Sequence, residues 1–296
     1  MEQFNGEVAS RLLRHRRKFI GSGAYGVVAL VEWRREPVAL KISRSSLFSK
    51  SFSREADILA LLKGAGGAPL LLGVAVNPFA LLITYKGSQT LQNLFNDPEY
   101  NLIDLGLQVG RKLLEIHKAG IVHNDIKGSN IMVQGPPHNP EISIIDFGMA
   151  CKTDESVLLF GDPNVSTIHA PEMIERGCSS FASDVFSYGV LMLQILNASP
   201  TTMTLPLTNP SIGEVIEEAM HPNPQCRPSL PDLLRRLQEN MNKNSSSELQ
   251  DGVDLQRNMD GNQHPAQRCG TPGTQMGTPH KVMKQSQRLN KNCVLI

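Results

Sequence analysis

The chain has 296 residues, 29 of them basic and 28 acidic, so its formal net charge is +1 and no bulk attraction to nucleic acid is expected. Apolar residues make up 40% and aromatics 5%, enough to core one large domain or two moderate ones. The five cysteines stand singly, at positions 151, 178, 226, 269 and 293, a spacing that argues against a zinc site or a disulfide framework and for a reducing, cytoplasmic compartment.

Residues 1–18 are polar and end in the basic run RLLRHRRK; they are expected to form a solvated basic extension, with no apolar core of the kind a secretory leader carries. From residue 19 to 241, apolar segments alternate with turn signals, as in a folded domain. FIGSGAYGVVALVEW reads as strand, glycine turn, strand, and PVALKIS as a further strand. SFSREADILALLKG has helical spacing, with Ile58, Leu59, Leu61 and Leu62 apolar and Gly64 placed to end the helix. PLLLGVAV and FALLITYKG follow as strands. After residue 90 the texture turns helical. LIDLGLQVGRKLLEIHKAG is amphipathic and ends at Gly120, DVFSYGVLMLQIL is apolar nearly all round, and SIGEVIEEAM and LPDLLRRLQENM are later helices. A β-rich half followed by an α-rich half predicts an α+β architecture in two lobes, about 19–86 and 87–241. There is no run of 18 apolar residues that would span a bilayer. Residues 242–296 are rich in Asn, Gln, Ser, Gly and Pro; too little apolar surface is present to offset chain entropy, so disorder is expected there.

Three stretches carry residues suited to chemistry. In GSGAYGVV the glycines at 21, 23 and 26 let backbone approach a ligand, and N–H groups of such a loop can face phosphate oxygens. A dinucleotide-binding reading fails, because it needs a helix after the loop, and VVALVEW is β-like. Lys41, inside the apolar strand VALK, is costly to bury unless an anion meets it. Glu55 on the following helix is the candidate, since Asp57, two residues on, lies on another face. IVHNDIKGSN then packs His, Asn, Asp, Lys, Ser and Asn into ten positions, and ISIIDFG ends an apolar strand on Asp146 with Gly148 free to turn.

In this order, the glycine loop, strand lysine, helix glutamate, HxDxKxxN loop, DFG and HAPEM resemble the eukaryotic-type protein kinase catalytic domain, over about Phe19 to Met241. The resemblance implies a bilobal fold that binds ATP and Mg²⁺. Gly21, Ser22, Gly23, Ala24, Tyr25 and Gly26 would cover the phosphates. Val28 and Ala39 would pack on adenine, with Ile83 at the back of the pocket and Thr84 to Lys86 along its edge. Lys41 would contact the phosphates and pair with Glu55, and Asn130 and Asp146 would hold the metal. Asp125 would take or orient the proton of the substrate hydroxyl. Lys127 would steady the γ-phosphate, and a lysine there marks serine/threonine rather than tyrosine kinases, so protein serines and threonines are the expected targets. Glu172 would pair with Arg227, and Asp184 would accept from backbone of the catalytic loop. The 14-residue gap from Lys41 to Glu55 is short for the family, so the approach to that helix is expected to be trimmed.

The sequence departs from the family twice. Asn124 stands where an arginine often precedes the catalytic aspartate and receives an activation-segment phosphate; activity independent of that phosphorylation is the expectation. Val165 stands where the family carries a threonine five residues before the APE alanine, so Ser166 or Thr167 would have to substitute. These departures leave a nucleotide-binding scaffold as the competing reading. A small-molecule phosphotransferase fits the HAPEM motif and the late arginine poorly. The chain ends CVLI after a stretch with Arg268, Lys281, Lys284, Arg288 and Lys291 and no acid. That ending resembles a prenylation box with Cys293 as the lipidated residue, and a basic stretch is the second signal that membrane contact needs.

Overall fold

A computed structural model describes residues 4–23, 26–153, 155, 168–175, 179–198 and 210–242, with only the backbone of Pro210 and Ser211. The expected disordered tail with Cys293, the loop-tip residues Ala24 and Tyr25, and Val165, Ser166 and Thr167 lie outside the described residues.

The first lobe is built on five antiparallel strands, β1 (Lys18–Ser22), β2 (Gly26–Trp33), β3 (Glu36–Ser43), β4 (Leu71–Val76) and β5 (Phe79–Thr84). Their order in the sheet is β1-β2-β3-β5-β4. Side chains alternate across a strand, so β3 sends Val38, Leu40 and Ile42 to one face, where they core with Ala29, Val31, Ala80 and Leu82. Ala39 and Lys41 go to the other face, opposite Leu30 and Val28 on β2 and Ile83 and Leu81 on β5. Helix α2 (Ser49–Leu62) closes part of that second face through Phe52 and Ala56 against Leu81. Only residues 44–48 separate β3 from α2, and Ser46–Phe48 form a single 3₁₀ turn, so the approach to the helix is short, as the spacing predicts.

The first face is covered by a helix that the reading of residues 1–18 as a solvated extension does not foresee. Helix α1 (Gly6–Arg14) starts on an Asn5 side chain that accepts from the Val8 N–H. It buries Ala9 in the sheet core and lays Leu12 and Leu13 against it, while Phe4 meets Trp33 edge to face with centroids 6.1 Å apart. A Cβ on Gly6 would lie 1.5 Å from the Asn77 carbonyl oxygen, so only glycine allows this approach. Ala9, Leu12 and Leu13 have the i, i+3, i+4 spacing of one helix face. The arginines on the opposite, exposed face, Arg11 and Arg14, mask the pattern in the sequence.

The second lobe centres on α3 (Leu102–Lys118) crossing α5 (Phe181–Ala198). Gly110 of α3 brings the helices together, since a Cβ there would lie 2.7 Å from the Tyr188 hydroxyl, which instead donates to the Gly106 carbonyl at 3.0 Å. α5 is apolar all round because Tyr188, Leu191, Met192 and Ile195 are buried among α3, the helix Pro210–Ala219 and the helix over residues 230–242. The hairpin β7 (Ile131–Gln134) and β8 (Glu141–Ile144) and the short pair β6 (Ile121–Val122) and β9 (Cys151–Lys152) lie on this lobe and fix the two loops that face the first. α4 (Pro171–Ile174) is a single turn at HAPEM.

Candidate active site

A cavity of about 630 Å³ opens between the two lobes. Gly21, Ser22, Gly23, Gly26, Val28, Ala39, Lys41, Glu55, Ile83, Thr84, Lys86, Asn130 and Asp146 all line it, so every described residue expected to bind nucleotide or metal is there. The loop between β1 and β2 is pinned by the Gly23 N–H donating to the Gly26 carbonyl at 2.9 Å, and a Cβ at Gly23 would meet nothing. A Cβ at Gly26, by contrast, would lie 2.2 Å from the Ile42 carbonyl oxygen. Met132 and Ile145, which the reading of the sequence did not single out, are also part of the lining. They sit on β7 and directly after β8, where apolar residues read simply as core strands.

Lys41 is nearly sealed. Its ammonium reaches both oxygens of Glu55 at 2.8 Å and Oδ1 of Asp146 at 2.7 Å. Burial works against the ammonium, but the charges of Glu55 and Asp146 outweigh it and hold its pKa above that of a free lysine. Burial pushes the Glu55 carboxyl up despite Lys41, whereas Lys41 holds Asp146 down at about 2. Asp146 keeps about half its side chain exposed to the cavity, at 46%, and has a left-handed backbone, φ 64. For an aspartate that conformation is uncommon and stores strain at a site.

Asp125 is held by the loop that carries it. Its N–H donates to His123 Nδ1 at 3.2 Å, and His123 Nε2 lies 3.1 Å from the Ile145 carbonyl, so the ring carries its proton on Nε2. Asn130 Nδ2 donates to the Asp125 backbone oxygen at 2.9 Å and to Oδ2 at 2.8 Å, and Lys127 Nζ lies 2.9 Å from the same Oδ2. With its amide N–H turned to Asp125, Asn130 presents a carbonyl oxygen as its remaining polar end. Together with the Asp146 carboxylate this is a hard oxygen donor set of the sort that Mg²⁺ takes, beside a cavity with a buried cation and open glycine backbone for phosphate. The residues therefore fit both groups.

Below the loop, Asp184 is fully buried and accepts from the N–H groups of His123 and Asn124, each at 2.8 Å, and lies 2.9 Å from His117 Nε2. Asn124 is buried with φ 66, a left-handed conformation that asparagine enters more readily than most residues. Its Nδ2 donates to the Met149 carbonyl at 3.0 Å and to Cys151 Sγ at 3.3 Å, and its Oδ1 accepts from Ser179 Oγ at 2.7 Å. One neutral side chain thus ties together the catalytic loop, the segment after DFG and the approach to α5. Glu172 and Arg227 meet in a two-pronged pair at 2.6 and 2.7 Å.

A sequence profile of the protein kinase domain matches residues 14–249. The chain belongs to the protein kinase domain family. Its relatives are distant: a probable serine/threonine-protein kinase of Dictyostelium discoideum is 27% identical over 247 residues, covering 74% of this chain and 24% of the relative. Mitogen-activated protein kinase kinase kinase 10 of Homo sapiens is 26% identical over 259 residues, covering 75% and 27%. Serine/threonine-protein kinase STY46 of Arabidopsis thaliana is 22% identical over 251 residues, covering 74% and 43%. The match with these relatives therefore takes in less than half the length of each.

Proposed function

We propose that this kinase domain transfers the γ-phosphoryl group of ATP to serine or threonine hydroxyls of protein substrates. The observation that carries the reading is the convergence of Lys41, Glu55, Asp146 and Asn130 on one cleft, with Asp125 joined to them through its hydrogen bond from Asn130. Phosphoryl transfer passes through a loose, highly charged transition state, so the protein's task is placement and charge. Lys41, aimed by Glu55, binds phosphate oxygens, and the glycine-loop N–H groups cover them. Asp125 orients the substrate hydroxyl and takes its proton, and Lys127 stands beside it to meet the transferred group. Asp146 and the Asn130 carbonyl would hold Mg²⁺, which would supply further positive charge to such a transition state. The Ser/Thr choice is supported by Lys127 and by the names of the relatives.

The proposal extends to control. The bonds Asn124 makes without any charge stand where a phosphate-receiving arginine would be, which supports activity without phosphorylation after DFG. Labelled Mg-ATP and casein test both points with unphosphorylated recombinant protein. Label is expected on serine and threonine, with a loss of about 10²–10⁴-fold in Asp125→Ala. Replacing Thr153, Ser156, Ser166 and Thr167 together by alanine should leave transfer within several-fold of wild type. Loss that phosphomimetic residues restore would refute independence, and ATP binding without transfer would favour a scaffold.

The tail is the basis for a peripheral membrane address through prenylated Cys293 and its basic neighbours. Removing the last four residues is expected to shift the protein from the membrane to the soluble fraction of cells; unchanged fractionation refutes the anchor.

A further inference from the structure

We propose that His169 is a positioning residue for Asp125, holding the carboxylate oxygen that Asn130 and Lys127 leave open. The inference rests on the kinase reading and deepens it. Asn130 and Lys127 both act on Oδ2 of Asp125. Oδ1 is shut from solvent and takes no hydrogen bond from the described residues. A buried carboxylate oxygen left in that state is costly, and at a reacting carboxylate it also leaves the orientation of the group half determined. The ring that faces it is His169, whose Nε2 lies 3.8 Å from Oδ1.

That distance exceeds a hydrogen bond by about 1 Å, and catalytic contacts commonly tighten to bonding distance only in the reacting complex. His169 is well placed to close it. Its side chain is only 13% exposed. The residue before it is anchored to α5, where Ser187 Oγ donates to the Ile168 carbonyl at 2.7 Å. The residue after it, Ala170, begins α4, whose Glu172 is clamped by Arg227. A ring carried between two fixed points needs only a small inward shift to donate to Oδ1. Burial, helped by the Lys127 charge, outweighs the pull of Asp125 and keeps the imidazole below its ordinary pKa. It therefore donates to Oδ1 as a neutral ring. With Val165 unable to offer a hydroxyl, His169 supplies a polar group to this carboxylate from the same stretch of chain.

The test is steady-state transfer of labelled phosphate to casein by His169→Leu, His169→Gln and His169→Asn, beside wild type and Asp125→Ala, with a melting curve for each. Leu removes the donor, Gln keeps one at comparable reach, and Asn keeps one that stops short. The expected result is a fall in kcat on the order of 10²-fold for Leu and Asn, as for a misplaced reacting group, with KM for ATP and Tm unchanged. Gln should stay within about fivefold of wild type, as expected if a hydrogen-bond donor is what the site requires. Leu within twofold of wild type, or Gln losing as much as Asn, overturns the role. A wild-type protein without transfer overturns the kinase reading itself, and the proposal falls with it; the state of the wild type separates the two failures.

Discussion

Replacing Lys41 by methionine is expected to cut phosphoryl transfer by about 10²–10³-fold, because a preorganised cation is removed from the place where charge develops. It should also destabilise the fold. Glu55 is buried and would lose its counter-charge; stranding one member of a buried ion pair costs about 3–5 kcal/mol. The pH dependence identifies the cause. In the variant the folded-state pKa of Glu55 rises further above the ordinary carboxylate value of 4.5. The folded chain then binds a proton that the unfolded chain does not, so stability falls as pH rises through that window. The deficit relative to wild type should therefore shrink as pH is lowered from 7 toward 5. Lys41→Met with Glu55→Gln should recover much of the stability and none of the transfer. Denaturant melts at several pH values, read beside the labelled-ATP assay, check both. A pH-independent deficit would mean that lost packing, not a stranded charge, is the cause.

Arg227→Ala should be the most damaging single change in the second lobe. The guanidinium is fully buried and satisfies both oxygens of Glu172 and the carbonyls of Ala182, His221 and Pro222. Deleting it strands a carboxylate and three carbonyl groups at once, and a loss of about 3–5 kcal/mol is expected. Arg227→Lys should not rescue, since one ammonium cannot make two parallel N–H bonds to a carboxylate. Burial alone would raise the Glu172 pKa, but the Arg227 hydrogen bonds hold it below the usual range. The pair's contribution is therefore present at neutral pH and fades as pH falls through that lowered value. A shift in the urea midpoint at constant slope measures the effect; an Arg227→Lys midpoint equal to wild type would contradict the two-pronged account.

Most of the site was legible because its residues are costly anywhere else. A lysine in an apolar strand and an aspartate ending another each need a reason, and Lys41 and Asp146 supply it for each other. The period of two along β3 likewise puts Ala39 and Lys41 on one face from their spacing alone. What stayed hidden lacked such a signature. Met132 and Ile145 are apolar residues at strand positions, and nothing local separates a pocket lining from a core. His169 acts across 44 positions of chain, and its meaning comes only from facing Asp125. The apolar residues of α1 run straight into the basic stretch from Arg14 to Lys18, so a short amphipathic helix read as a charged extension.

The Asn124 contacts have a consequence for solution conditions. An arginine–phosphate pair in that place would weaken with ionic strength and vanish with phosphatase, because both partners carry charge. The bonds from Asn124 to Met149, Cys151 and Ser179 join neutral, buried groups, which mobile ions neither reach nor screen. These contacts between the catalytic loop and the DFG segment are thus expected to be indifferent to salt.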